Sequence, residues 1–223
     1  MHTLSLADID VDGALRETAG RLPTRSEFLV GGGLAAAAAL LVPGVAGARA
    51  KRSDDAILNF ALALEYLQAA FYTEAERVGA LSGPLAEQAK VVGAHERAHV
   101  AAFREVLGRA AIKRPQFDFH GVTDKPDSFR ATAVAFEDLA VGAYKEQLPK
   151  ISSPQYLAAA VSIHSVEARH ASWIRRLAGI VPAPTAFDEP TSDGQTIHIV
   201  NSTQFVTLHA PETTAHRPPA FTG

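Results

Sequence analysis

Glu96-Arg97-Ala98-His99 and Glu167-Ala168-Arg169-His170 are two copies of Glu-x-x-His set 71 residues apart. Each follows a lone glutamate by roughly one helix and a turn: Glu65 stands 31 residues before Glu96, and Glu137 stands 30 before Glu167. With 13 Glu and 9 His in 223 residues, chance supplies about half of one such pair. Two occur, and the lone glutamates keep the same repeat at 72 residues. Packing does not explain a repeat that preserves metal-binding side chains. Residues three apart on a helix share a face, so each Glu-x-x-His can hold one ion. Glu65 and Glu137 enter from two further helices, and a carboxylate can bind one ion or bridge two. Four carboxylates and two imidazoles at this spacing are what a four-helix bundle needs to hold two metal ions in its core. The expected ligands are therefore Glu65, Glu96, His99, Glu137, Glu167 and His170.

The competing reading makes these residues surface glutamates and two satisfied core histidines. It would win for any one of them alone, but not for six in register. A donor set rich in oxygen suits iron and manganese, fits zinc less well and does not suit thiolate-seeking ions. Without metal, four neighbouring buried carboxylates would repel and some would take up protons, which makes the metal-free bundle the less stable form.

Tyr72 lies seven residues after Glu65, and Tyr144 seven after Glu137. Two helical turns place each phenol on the face of its glutamate. Both are expected to serve catalysis, as hydrogen-bond donors to a carboxylate or a metal-bound oxygen or as electron donors in oxygen chemistry. The plainer alternative is a pair of core residues with polar tips. His95 and His164 have no counterpart in the repeat, which offers Val166 and Gly93 instead, and they read as structural residues or supports of the ligands. Gln68, one turn beyond Glu65, meets Ala140 in the repeat, an asymmetry that would open one metal position more than the other.

A net charge of −3 provides no basic field for nucleic acid. The lack of cysteine removes disulfides, thiolate zinc sites and iron–sulfur clusters, and suits an oxidising compartment. Residues 1–50 read as an export leader. Leu29 to Val45 is apolar and rich in Gly and Ala, Pro43 breaks it, and small-residue cleavage options follow at Ala46-Gly47-Ala48 and Ala48-Arg49-Ala50. Thr24-Arg25-Ser26-Glu27-Phe28-Leu29 resembles a twin-arginine signal with Ser26 in place of the second arginine. The mature protein is expected in a periplasmic or extracellular space with no stable membrane span. Retention of the leader would anchor it to a membrane.

Residues 51–180 read as one all-α domain, an antiparallel four-helix bundle. Its helices are expected at about Ala56–Val78, Leu85–Ala111, Phe129–Leu148 and from near Ser152-Ser153-Pro154 to Leu177-Ala178-Gly179. Asp127-Ser128 offers a cap for the third, and Pro154 stands at the first turn of the fourth. Residues 112 to 126 form the longer crossover that a bundle of this type needs between its second and third helices. Residues 181–223 read as an irregular tail, in which Thr196 to Val200 is a short strand or a helical turn. His198, His209 and His216 are scattered through that tail as solvated residues.

At the six ligands, and across about Asp54 to Gly179, the chain resembles the ferritin-like superfamily of di-metal carboxylate proteins. Asn59-Phe60-Ala61-Leu62-Ala63-Leu64-Glu65-Tyr66-Leu67 and Phe71-Tyr72 are similar to the exported ferritin-like group that includes plant desiccation-related proteins. Where that group often carries further acidic residues after the first glutamate, this chain has Gln68 and Ala70. The resemblance implies an oxidoreductase that acts on ferrous iron, dioxygen or peroxide, in the manner of a ferroxidase or a manganese catalase. The alternative is a non-catalytic metal-binding stress protein. The expected partners are metal ions and small oxygen species, and the expected state is a monomer or homodimer.

Overall fold

The structure, a computed structural model, describes residues 53–206 and 208. The expected export leader, with its apolar stretch and cleavage options, lies outside the described residues, as do His209 and His216. Four long helices, α1 Asp54–Val78, α2 Gly83–Leu107, α3 Pro126–Gln147 and α4 Pro154–Leu177, are followed by a short α5, Asp193–Ser202. There is no strand among the described residues, and no helix there is long and apolar enough to cross a membrane.

Local chemistry accounts for the boundaries. The Ser53 hydroxyl caps α1 by accepting from the Ala56 N–H, and Asp54 and Asp55 sit in its first turn, where the helix dipole favours negative charge. Gly79 ends the helix at φ 69°, a left-handed conformation that glycine reaches without strain. Ser153 caps α4, and the Asp54 carboxylate accepts from the Ser152 and Ser153 N–H groups at 2.8 Å each. The third helix begins earlier than expected: Lys125 is its N-cap, without a side-chain bond, and Pro126 occupies the first turn. Proline's fixed φ is already helical, and the Ser128 hydroxyl donates back to the Val122 and Lys125 carbonyls instead of capping.

Side-chain bonds give the direction of each helix. Asn59, near the start of α1, donates to Ala110 O and accepts from Ile112 N, just past the end of α2. Thr123, just before α3, donates to Glu74 near the end of α1 at 3.1 Å. The link between α2 and α3 therefore runs from one end of the bundle to the other, about 22 Å at 1.5 Å per helical residue. Two antiparallel hairpins, α1–α2 and α3–α4, result, and they meet along α1–α3 and α2–α4.

Every residue of α1 from Ile57 to Tyr72 is buried, polar ones included. The crossover and the C-terminal segment cover the side that the partner helices leave open. Phe71 stacks on Phe129 at 5.0 Å and meets Phe119 of the crossover edge-on at 5.6 Å, and Phe119 meets Phe205 at 5.4 Å.

The tail is more regular than expected. A capping box between Ser192 and Gln195 starts α5, and Thr196 and Val200 on one face are buried. The β-branched run Thr196 to Val200 is compatible with a strand, but the box satisfies the first N–H groups and the four-residue spacing gives a helical face to bury. Thr191 N donates to Gly142 O at 2.9 Å and Asp118 N to Phe205 O at 3.0 Å, so the segment is tied to both α3 and the crossover. His198 is exposed.

Candidate metal centre

Glu65 on α1, Glu96 and His99 on α2, Glu137 on α3, and Glu167 and His170 on α4 converge between the four helices. The four glutamate side chains are 0% exposed, against 3% for His170 and 12% for His99. Their donor atoms form two groups, each within 4.8 Å: Glu65, Glu96, His99 and Glu167, and Glu96, Glu137, Glu167 and His170. Glu65 Oε2, Glu167 Oε1 and Glu96 Oε2 stand 3.2, 3.2 and 3.4 Å from His99 Nδ1. Glu96 Oε1, Glu137 Oε2 and Glu167 Oε2 stand 2.9, 3.6 and 3.8 Å from His170 Nδ1. Glu96 and Glu167 thus turn one oxygen to each imidazole, whereas Glu65 and Glu137 serve one group each. Each Glu-x-x-His pair lies whole within one group, as its spacing predicts, and its glutamate also enters the other group.

Apart from His99 Nδ1 and Glu65 Oε2, which lie within hydrogen-bond distance at 3.2 Å, the crowding is not hydrogen bonding. Both oxygens of Glu96 and of Glu167, Glu137 Oε2 and His170 Nδ1 are buried without a hydrogen-bond partner. Donors that approach one another without pairing aim at common points between them. Neighbouring ligands on an octahedral ion with bonds of about 2.1 Å stand about 3 Å apart, so the residues fit one divalent cation in each group.

The tyrosines are bonded across the bundle rather than along their own helices. The Tyr72 hydroxyl of α1 donates to Glu137 Oε1 of α3 at 2.6 Å, and the Tyr144 hydroxyl of α3 donates to Glu65 Oε1 of α1. Antiparallel packing of the two repeats produces this crossing: a seven-residue step forward on one helix meets the lone glutamate of the other. Burial, reinforced by the adjoining glutamates, holds both phenols well above the usual tyrosine range.

The family model for the ferritin-like domain matches residues 53–179. The chain belongs to the ferritin-like family. No curated protein matches it. Within this ferritin-like bundle the residues around the candidate ligands are unequal. Gln88 of α2 is wholly buried and donates to the Tyr72 hydroxyl at 3.4 Å. It has no polar counterpart in the repeat, where position 159 is alanine, and for that reason the spacing did not reveal it. On the other side His164 stacks beside Tyr144 at 6.3 Å. Exposed His95 places its Nδ1 2.9 Å from Nε2 of His170, a candidate ligand; burial and the neighbouring His170 lower its pKa. Gln68 and Ala140 line the α1–α3 seam together, beside a small gap among Leu64, Leu67, Phe136 and Leu139.

In chelator-treated, metal-free protein the carboxylates would be offset by protons. Burial, aided by Glu96, pushes Glu65 up to about 7, and burial, partly opposed by His170, pushes Glu137 up to about 8. Burial would lower His99 and His170, but contacts with three glutamates each outweigh it and push both up to about 12. All four groups hold protons more tightly folded than unfolded, so the metal-free fold loses stability as pH rises. The glutamate contribution is complete below the ordinary value of 4.5 and lost through 7 to 8; the histidine contribution is complete below 6.5 and lost toward 12. Chelator-treated protein should therefore melt at least about 5 °C lower at pH 9 than at pH 6, with a divalent ion restoring the loss at pH 9. A melting temperature independent of pH over that range in the chelated protein would contradict the clustered carboxylates.

Proposed function

We propose that this ferritin-like chain is a di-metal oxidoreductase that acts on ferrous iron, dioxygen or peroxide, with Glu65, Glu96, His99, Glu137, Glu167 and His170 holding two iron or manganese ions. The observation that carries this reading is the pair of overlapping donor groups, in which Glu96 and Glu167 offer buried, partnerless oxygens to both sides. Charge favours two ions over one. Four carboxylates at −1 give −4 and two divalent ions give +4, whereas a single ion leaves −2 in a volume where no carboxylate reaches water. Redox-active ions of this kind supply electron exchange with oxygen species.

The chain's own residues limit and orient that chemistry. Tyr72 and Tyr144 each occupy one oxygen of a lone glutamate and leave the other, Oε2, facing the site. They are positioning residues in this reading. Wholly buried carboxylates admit ions and small oxygen species and exclude larger substrates. The same burial also suits the second reading, a stress or desiccation-related protein that holds metal without catalysis.

Metal analysis of protein from its native host, with ferrous-oxidation and peroxide assays, separates the readings. The oxidoreductase predicts two ions per chain and an activity that the double variant Glu96→Ala/His99→Ala reduces about 100-fold or more. Two ions without activity leave the holding protein, and fewer than one ion per chain rejects both. Tyr72→Phe or Tyr144→Phe should weaken metal binding about 10-fold. Full affinity with lost activity would instead make the phenols electron donors.

Residues 1–50 are proposed as the export leader on the strength of their composition. The amino terminus of the protein recovered outside the cytoplasm should then lie near Ala46 to Ala50, and a terminus before Leu29 would refute the assignment.

A further inference from the structure

We infer that His95 makes the two metal positions unequal, by fixing His170 as the ligand of a tightly held ion while the position beside His99 exchanges. The inference rests on the proposed metal reading and specifies which half of the site is permanent. His170 faces the carboxylates with Nδ1 and faces His95 with Nε2, 2.9 Å from the His95 Nδ1, the two rings lying 18° from parallel with centroids 5.2 Å apart.

A neutral imidazole carries one N–H, and a nitrogen that binds metal must be bare. The proton of a ligating His170 therefore sits on Nε2 and is donated to His95 Nδ1. His95 in turn keeps its own proton on Nε2. A ligand whose second nitrogen has such a partner is held in one tautomer and one orientation, and it binds metal more tightly. Among the described residues His99 has no equivalent support: the repeat that carries His95 onto position 166 puts Val166 there, and a valine side chain accepts no hydrogen bond. His99 is also the more open ligand, 12% exposed against 3% for His170. Glu65 and His99 thus define the position nearer water, and Glu137 and His170 the one enclosed and supported. Under the ferrous-oxidation reading, the outer position is where substrate iron would arrive.

His95 is exposed, so replacing it removes no core packing. The test is calorimetric titration of the metal-free full-length chain with manganese(II) under argon at pH 7. Wild type should show two binding events with affinities at least about 10-fold apart, and His95→Ala should weaken the tighter one about 10- to 100-fold while sparing the weaker. His95→Asn, whose amide oxygen can accept in place of Nδ1, should restore the separation. Each metal-free variant should still melt cooperatively, within a few degrees of wild type. Two equal affinities in wild type, or a His95→Ala effect that is absent or equal on both events, would overturn the inference and leave the metal reading standing. A wild-type chain that binds no manganese would remove both.

Discussion

A carboxylate withdrawn from water needs positive charge or a proton beside it, and this chain withdraws four into one volume between its helices. Nearly every feature of the bundle's middle answers that requirement. The two imidazoles sit where each meets three carboxylates. The two phenols take the outer oxygens of the lone glutamates, which keeps those oxygens from being left bare and fixes the rotation of the carboxylate planes. Replacing this polar centre by hydrocarbon would in general cost a bundle little stability. Its presence therefore speaks for use rather than for folding.

The approximate two-fold relation between the hairpins organises the centre, and the departures from it differentiate the halves. Gln88 attends Tyr72 whereas His164 stands beside Tyr144, and His95 backs His170 while Val166 stands at the position that matches His95 for His99. A duplicated scaffold supplies two similar sets of candidate ligands, and single differences around them are enough to set the two apart.

Much of the centre was legible because its residues obey helical spacing. Glu-x-x-His is a same-face pair, and the 71- and 72-residue offsets carry one hairpin onto the other. Which carboxylates are shared was not legible, since spacing along one helix says nothing about the oxygen a side chain offers to the opposite helix. The crossing of the tyrosines was hidden for the same reason: Tyr72 shares a face with Glu65 but bonds to Glu137, a consequence of antiparallel packing. Gln88 left no trace in the repeat. In the tail, the β-branched run suggested either of two structures, and the capping residues Ser192 and Gln195 decided for the helix. The start of α3 was misplaced because two cap-like residues follow Pro126, and the proline takes precedence.

The burial of α1 along its middle has a consequence for how the chain reaches this state. Phe71 is covered in part by Phe119, 48 residues further along the chain, and Phe119 is backed in turn by Phe205, 134 residues beyond Phe71. An early-synthesised helix is thus completed by late-synthesised residues, and contacts of such long sequence separation slow folding because loops must close before burial rewards them. Until the last segment arrives, the first helix presents apolar surface on its outer side, a state prone to association. Truncation near the carboxyl end would strike at the opposite end of the chain, through the helix that carries Glu65.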